Sequence, residues 1–367
     1  MALADVRNGR ALRFDVGEFT GALGDSVTVL PIVVALGALT PMSLSHVLVA
    51  FGLFQVVWGL VYGLPLSVEP MKALAALAIA GAMSYGELVA AGLVAGAVLL
   101  LAGQTSAISS VERYVGEPVV RGVQLAVALL LAQTGVELGL GDLALAALAV
   151  ALTLGVAAAG RPRAATLVVL GVGAVLAAAA TGIPTPSMPA FDVFPAGAPA
   201  LTLGAVEGAT AQLAMTVGNA AVATSLLCSG LFDADVSADD LSTSMGAMTL
   251  LSVPFGGLPM CHGSGGLAGK YAFGARTGGA NVVLGVLYVV AALFASVVLA
   301  FPMALLGVLL VLVAAQLGQS ALQTESLVLT VLVGVVGVAT NVGLAFVVGV
   351  VLWLGASTFD AAGTADR

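Results

Sequence analysis

The chain has 367 residues, 60% of them hydrophobic and only 8% charged, with a mean hydropathy of +1.15 and a formal net charge of −8. A soluble domain carries about 25% charged residues, so this composition excludes one and demands many membrane spans. At roughly 20 apolar residues per crossing there is room for about 12 to 14 spans, and runs as long and uniform as 143–159 or 282–300 suit helices rather than barrel strands.

In chain order, "MALADVRNGRALRF" carries Arg7, Arg10 and Arg13 with no separate apolar core before the first span, and reads as a cytoplasmic tail. Spans are expected near 17–39, 44–63, 65–82, 86–104, 119–139, 142–159 and 164–182, which together form a first unit over 1–182. A proline-rich linker, 183–203, follows on the extracellular side. A second unit, 204–357, is expected to span near 204–228, 241–253, 254–275, 280–300, 302–318, 324–340 and 341–357, ahead of a short polar tail, 358–367. With both termini inside, Arg7, Arg10, Arg13, Arg113, Arg121, Arg161, Arg163, Arg276 and Arg367 all fall on the cytoplasmic side, as the positive-inside rule asks of a plasma-membrane protein. Only Lys72 and Lys270 remain, both in proline-broken spans. Cys228 and Cys261 lie in different segments and imply no disulfide framework.

The third and tenth spans share a device: "PLSVEPMKALAA" from Pro65 and "PFGGLPMCHGSGG" from Pro254, 189 residues later. Gly24-Asp25 of the first span and Gly218-Asn219 of the eighth echo each other at a spacing of 194. Seven spans per half put the second half into the membrane upside down. The expected fold is therefore an all-α polytopic membrane protein built as an inverted seven-plus-seven repeat. Pro65 and Pro254 break the helix, while Pro70 and Pro259 suit the first turn of a new one. Each half-helix then starts in mid-membrane with free N–H groups and its positive dipole end turned inward, an arrangement that cradles an anion. Broken helices at matching places in inverted repeats point to the midplane site of a secondary transporter.

A charge at mid-bilayer costs on the order of 2.5–3.5 kcal/mol on insertion scales, so each polar group there needs a reason. Lys72 either balances an oxyanion or pairs with Glu69 or Asp25. Asp25 either orients Lys72, relays a proton or pairs within the core. Glu69 is a proton-carrier candidate or faces a wet vestibule. His262, in the opening turn after the second break, is structural or takes part in substrate or proton coupling. Ser264 and the backbone at Met71 and from Met260 to Gly263 are candidate donors, and Cys261 is either at the site or a packing residue. Gln212, Thr216 and Asn219, at i, i+4, i+7, share a helical face and form either a hydrogen-bonding wall or interhelical glue.

"PLSVEPMKALAALAI", "GGLPMCHGSGGLAGKYAFGARTG" and the early "TGALGDSVTVLPIVVAL" resemble the molybdate-transporter family, a short branch related to SulP sulfate permeases. That resemblance implies core and gate domains, elevator-like movement of the core, a homodimer, and transport of a tetrahedral oxyanion: molybdate first, then sulfate or tungstate. The family pattern has glutamine before "PMK"; this chain has Glu69. A nucleobase permease of the same architecture and an uncoupled oxyanion channel are the competing functions. The sequence offers no His/Cys/Asp/Glu metal cluster, no cofactor glycine motif and no nucleophile–base pair, so neither an enzyme nor a cofactor or metal is expected, and nothing suggests nucleic-acid binding.

Overall fold

The computed structural model describes residues 11–106, 108, 116–190 and 192–365; Arg7, Arg10, Arg113 and Arg367 lie outside the described residues. The first half runs α1 (Val16–Leu39), α2 (Leu44–Tyr62), a short strand β1 (Glu69–Pro70), α3 (Lys72–Ile79), α4 (Tyr85–Gln104), α5 (Glu117–Leu140), α6 (Leu143–Ala158) and α7 (Ala165–Thr181). The second half runs α8 (Leu203–Met215), a π-helical stretch (Thr216–Val222), α9 (Ala223–Phe232), α10 (Ala238–Ser252) and strand β2 (Met260–Cys261). It ends with α11 (Ser264–Ala272), α12 (Gly279–Leu293), α13 (Ala295–Leu299), α14 (Met303–Ala321), α15 (Leu327–Ala339) and α16 (Val342–Ala365). The fold is an all-α membrane architecture, and α16 continues as helix through much of the stretch expected as a polar tail.

Among the described residues, seven helical runs are long and apolar enough to cross a membrane, and four more apolar helices have 10–17 residues. Expected spans three and ten are shorter still. α3 has 8 residues and α11 has 9, so at 1.5 Å per residue each covers roughly 12–14 Å, about half the hydrocarbon thickness. Pro65, Pro70 and Pro259 lie in extended chain ahead of the half-helices, whereas Pro254 sits in a 3-10 turn (Val253–Phe255) that ends α10. Pro70 and Pro259 were expected in the first turn of each new helix, but α3 starts at Lys72 and α11 at Ser264, because the prolines stay in the extended pieces that pair with each other.

The two extended pieces meet. β1 and β2 pair antiparallel, with Glu69 opposite Cys261 and Pro70 opposite Met260, and the Met71 amide donates to the Pro259 carbonyl at 2.9 Å. The pair lies in the interior, where non-helical backbone at membrane depth has to find its partners within protein. Around it α2 packs on α12, α4 on α10, α1 on α11, α3 on α8, and α5 on α14 and α15. Three of these contacts close over glycines. A Cβ on Gly52 would meet the Gly285 carbonyl at 2.7 Å, one on Gly246 the Gly96 carbonyl at 2.7 Å, and one on Gly135 the Gly307 carbonyl at 2.6 Å. Without water to drive helices together, such close backbone approach supplies the packing contact.

Candidate functional site

Breaking two helices in mid-membrane exposes backbone groups, and side chains from four helices, together with His262, take them up. The Leu66 carbonyl accepts from the Asn281 amide at 2.5 Å, the Ser67 carbonyl binds His262 Nδ1 at 2.9 Å, and the Val68 carbonyl accepts from Gln55 Nε2 at 3.1 Å. On the second piece, Ser252 donates to the Leu258 carbonyl at 2.7 Å and Thr224 to the His262 carbonyl at 3.3 Å. Thr249 Oγ1 both donates to the Met260 carbonyl and accepts its N–H, at 3.0 and 3.1 Å. Because a carbonyl only accepts, His262 carries a proton on Nδ1, and its Nε2 lies 2.8 Å from the Ser244 hydroxyl. Trp58 and Tyr62 stand edge-on around this imidazole. Many of the polar residues in this lipid-depth region thus complete the backbone of the break.

Two ion pairs flank it. Lys270 is fully buried, with its Nζ 3.2 Å from Asp25 and donating to Gln55 at 3.0 Å and Asn281 at 2.8 Å. Asp25 also accepts from Ser67 at 2.9 Å and from Gln55 at 3.0 Å. Every polar group in this first network has a partner. The second pair is barer. Lys72 Nζ lies 2.5 Å from Glu69 Oε2, and no backbone amide, hydroxyl or side-chain amide reaches either Glu69 oxygen. The Glu69 carboxyl group also presses against Gly263 and Gly266, where a Cβ would overlap it.

The N-termini of the two half-helices are treated differently. At α3, Gln212 Oε1 accepts from the Ala73 amide at 2.9 Å and from Leu74 at 3.4 Å, and its Nε2 donates to Thr216 at 2.9 Å. At α11, the N-cap residue is Gly263 and no side chain caps the turn. In front of that turn lies a cavity of about 50 Å³ lined by Glu69, Lys72, Gln212, Asn219, Cys261, Gly263 and Ser264, with Met215, Ala220, Gly265 and Leu317 completing the wall. It adjoins a larger vestibule of about 670 Å³, which shares Lys72, Asn219, Ser264, Gly265 and Leu317 and extends to Arg121, Gln316 and Gln323.

Of the residues singled out in the sequence, seven therefore reach this cavity. Asp25, Met71, Thr216, Met260 and His262 do not line it. The Met71 and Met260 amides are already committed, to Pro259 and Thr249, and Asp25 and His262 serve the networks behind the wall. Gln212 and Asn219 both line the cavity, while Thr216 accepts from Gln212 beside it. Asn219 lies within the π-helical stretch from Thr216 and donates to Gln124 of α5 at 3.1 Å.

The model of the family described as the molybdate transporter of the MFS superfamily matches residues 17–131 and 204–317, more than half of the chain. Molybdate transporter 2 of Arabidopsis thaliana is 30% identical over 92% of the chain and 86% of its own length. The chain belongs to the molybdate transporter family. Members of that family are transporters, and this chain is a multi-pass membrane transporter, not an enzyme. The fold is shared with the transmembrane domain of the cyanobacterial bicarbonate transporter BicA, at a TM-score of 0.61 and 17% identity over 92% of this chain and 96% of that one. It is shared too with murine solute carrier 26 family member A9, an anion transporter solved in the inward-facing state, at a TM-score of 0.69 and 14% identity over 98% of this chain and 71% of that one.

In this family member the sequence reading passed over several residues that build the site. Gln55, Ser67 and Asn281 hold the break together, while Gln124 and Arg121 line the path to the cavity. An uncharged amide in the middle of an apolar span, as at Gln55 and Gln124, is the signal that would have found two of them.

Proposed function

We propose that the chain is a secondary active transporter of a small tetrahedral oxyanion, molybdate first and sulfate or tungstate next. The observation that carries this reading is the cavity of about 50 Å³ before the uncapped N-terminal turn of α11, with Lys72 in its wall. By the measure in which one water takes about 10–15 Å³, it accommodates one small ion and little else. An anion there would meet the ammonium of Lys72, the first amides of α11, the Ser264 hydroxyl and the Asn219 amide. These donors suit a compact oxyanion and offer no flat slot for a heterocyclic base.

Under the positive-inside rule the vestibule, with Arg121 at its mouth, opens to the cytoplasm, an inward-open arrangement in a plasma-membrane protein with both termini inside. The two halves form an inverted repeat in this reading, and α1–α4 with α8–α12 form a core. The core carries the cavity past α5 and α14 in an elevator-like stroke, with a homodimer as the assembly. The deciding experiment is uptake of labelled molybdate into proteoliposomes, competed by unlabelled sulfate and tungstate. The reading expects saturable, competed uptake; if none of these anions enters or competes, it falls. Continuous current without saturation would instead make the protein a channel.

A further inference from the structure

Three carboxylates are buried among the described residues: Glu18, Asp25 and Glu69. Two are fully engaged. Glu18 caps the start of α12, accepting from the amides of Arg276 at 3.1 Å, Thr277 at 2.8 Å and Ala280 at 3.1 Å, and from the Thr277 hydroxyl at 2.9 Å. Asp25 has Ser67, Gln55 and Lys270. Glu69 has little of this: it is fully buried, its Oε2 lies 2.5 Å from Lys72 Nζ, and no backbone amide, hydroxyl or side-chain amide reaches either oxygen. Its carboxyl group nevertheless sits against the first turn of α11, at Gly263 and Gly266, on the wall of the cavity. An acid side chain evolved as a helix cap would look like Glu18. Glu69 instead stands, held by Lys72 alone, at the place best suited to a different anion.

We propose that Glu69 is a tethered competitor for the transported anion: ionised, it holds Lys72 and the positive end of α11; protonated, it releases both to the oxyanion. This deepens the oxyanion reading above and rests on it. The charges facing Glu69 make the exchange balance. They are Lys72 on α3, Asp25 on α1 and Lys270 on α11, with the Cys261 thiol of β2 and the Tyr288 hydroxyl of α12 nearby. With all four charged groups ionised the cluster is neutral, and a dianion would leave it at −2. One proton on Glu69 makes the empty cluster +1 and the loaded one −1. The proton comes from the vestibule, which reaches Lys72, and the carboxylic acid then becomes a hydrogen-bond donor to the bound oxyanion. Binding of one anion is thereby linked to uptake of one proton.

The test uses the purified full chain and titrates molybdate binding between pH 6 and 8, following protons with an indicator dye. In the wild type the apparent Kd is expected to rise with pH, by up to about tenfold per pH unit, the limit for one linked proton, with up to one proton taken up per anion. Glu69→Gln is expected to bind at pH 8 as tightly as the wild type does at pH 6, with a flat pH profile and no proton uptake. A variant that keeps the wild-type slope, or that folds and binds more weakly at every pH, overturns the proposal. So does a wild type that binds without taking up protons, a measurement that needs no variant at all. If the wild type binds no molybdate, sulfate or tungstate at any pH, it is the oxyanion reading that has failed.

Discussion

Lys72 stands in the first turn of α3, where a cation works against the helix dipole, and Glu69 at 2.5 Å is the anion that makes the position tolerable. Its side chain keeps some exposure, 16%, on the cavity side, whereas Lys270 has none and spends its donors on Asp25, Gln55 and Asn281. The two lysines should therefore fail in different ways. Lys72→Ala is expected to leave a folded protein and to weaken molybdate binding by about 10- to 100-fold, the loss of one hydrogen bond between charged groups. Asp25→Ala strands the buried Lys270 ammonium and is expected to cost about 3–5 kcal/mol of stability. Thermal melts in detergent, read beside binding isotherms, separate the two. The sequence made both lysines conspicuous, and Lys72 and Glu69 are neighbours along the chain. The match of Lys270 with Asp25 crosses the whole molecule, and nothing local to either residue announces it.

At the scale of the element, the proline device was legible because proline and glycine act on their own backbone: fixed φ and a missing N–H break a helix whatever surrounds it. The start of α11 was expected at Pro259–Met260; it comes at Ser264, because Met260 and Cys261 pair with Pro70 and Glu69 before the helix begins. The π-helical stretch from Thr216 was not expected, since no proline or glycine pair marks it. Glycines in the first turn of α11 give a sharp comparison. A Cβ at Gly266 would run into Glu69, Asp25 and Ser67, while one at Gly265 meets nothing within 4 Å. Gly266→Ala is expected to lose about 1–3 kcal/mol through overpacking and to disturb the anion seat. Gly265→Ala should hold or raise the melting temperature, because alanine favours helix by about 0.8–1 kcal/mol over glycine. Equal losses from the two variants would mean that the turn is not packed as described.

At the scale of the whole molecule, the packing pairs support the proposed repeat. Exchanging each helix for its counterpart seven spans on turns the α2–α12 contact into α10–α4 and the α1–α11 contact into α8–α3, and both members of each exchange are present. The two stretches matched by the family model begin 187 residues apart, close to the 189 between the proline devices. Such a molecule has one site and two possible exits, and here the open exit runs past Asn219 and Gln124 to Gln316 and Arg121. Gln316 is exposed on that path, and the two native cysteines, Cys228 and Cys261, are buried. A Gln316→Cys variant is therefore expected to react with a membrane-impermeant thiol reagent added from the cytoplasmic face, well above the wild-type background. Saturating molybdate should slow that labelling if the anion draws the core away from α14. Labelling from the extracellular face alone would reverse the assigned orientation while leaving the cavity and its chemistry untouched, because the positive-inside argument and the site argument draw on different residues.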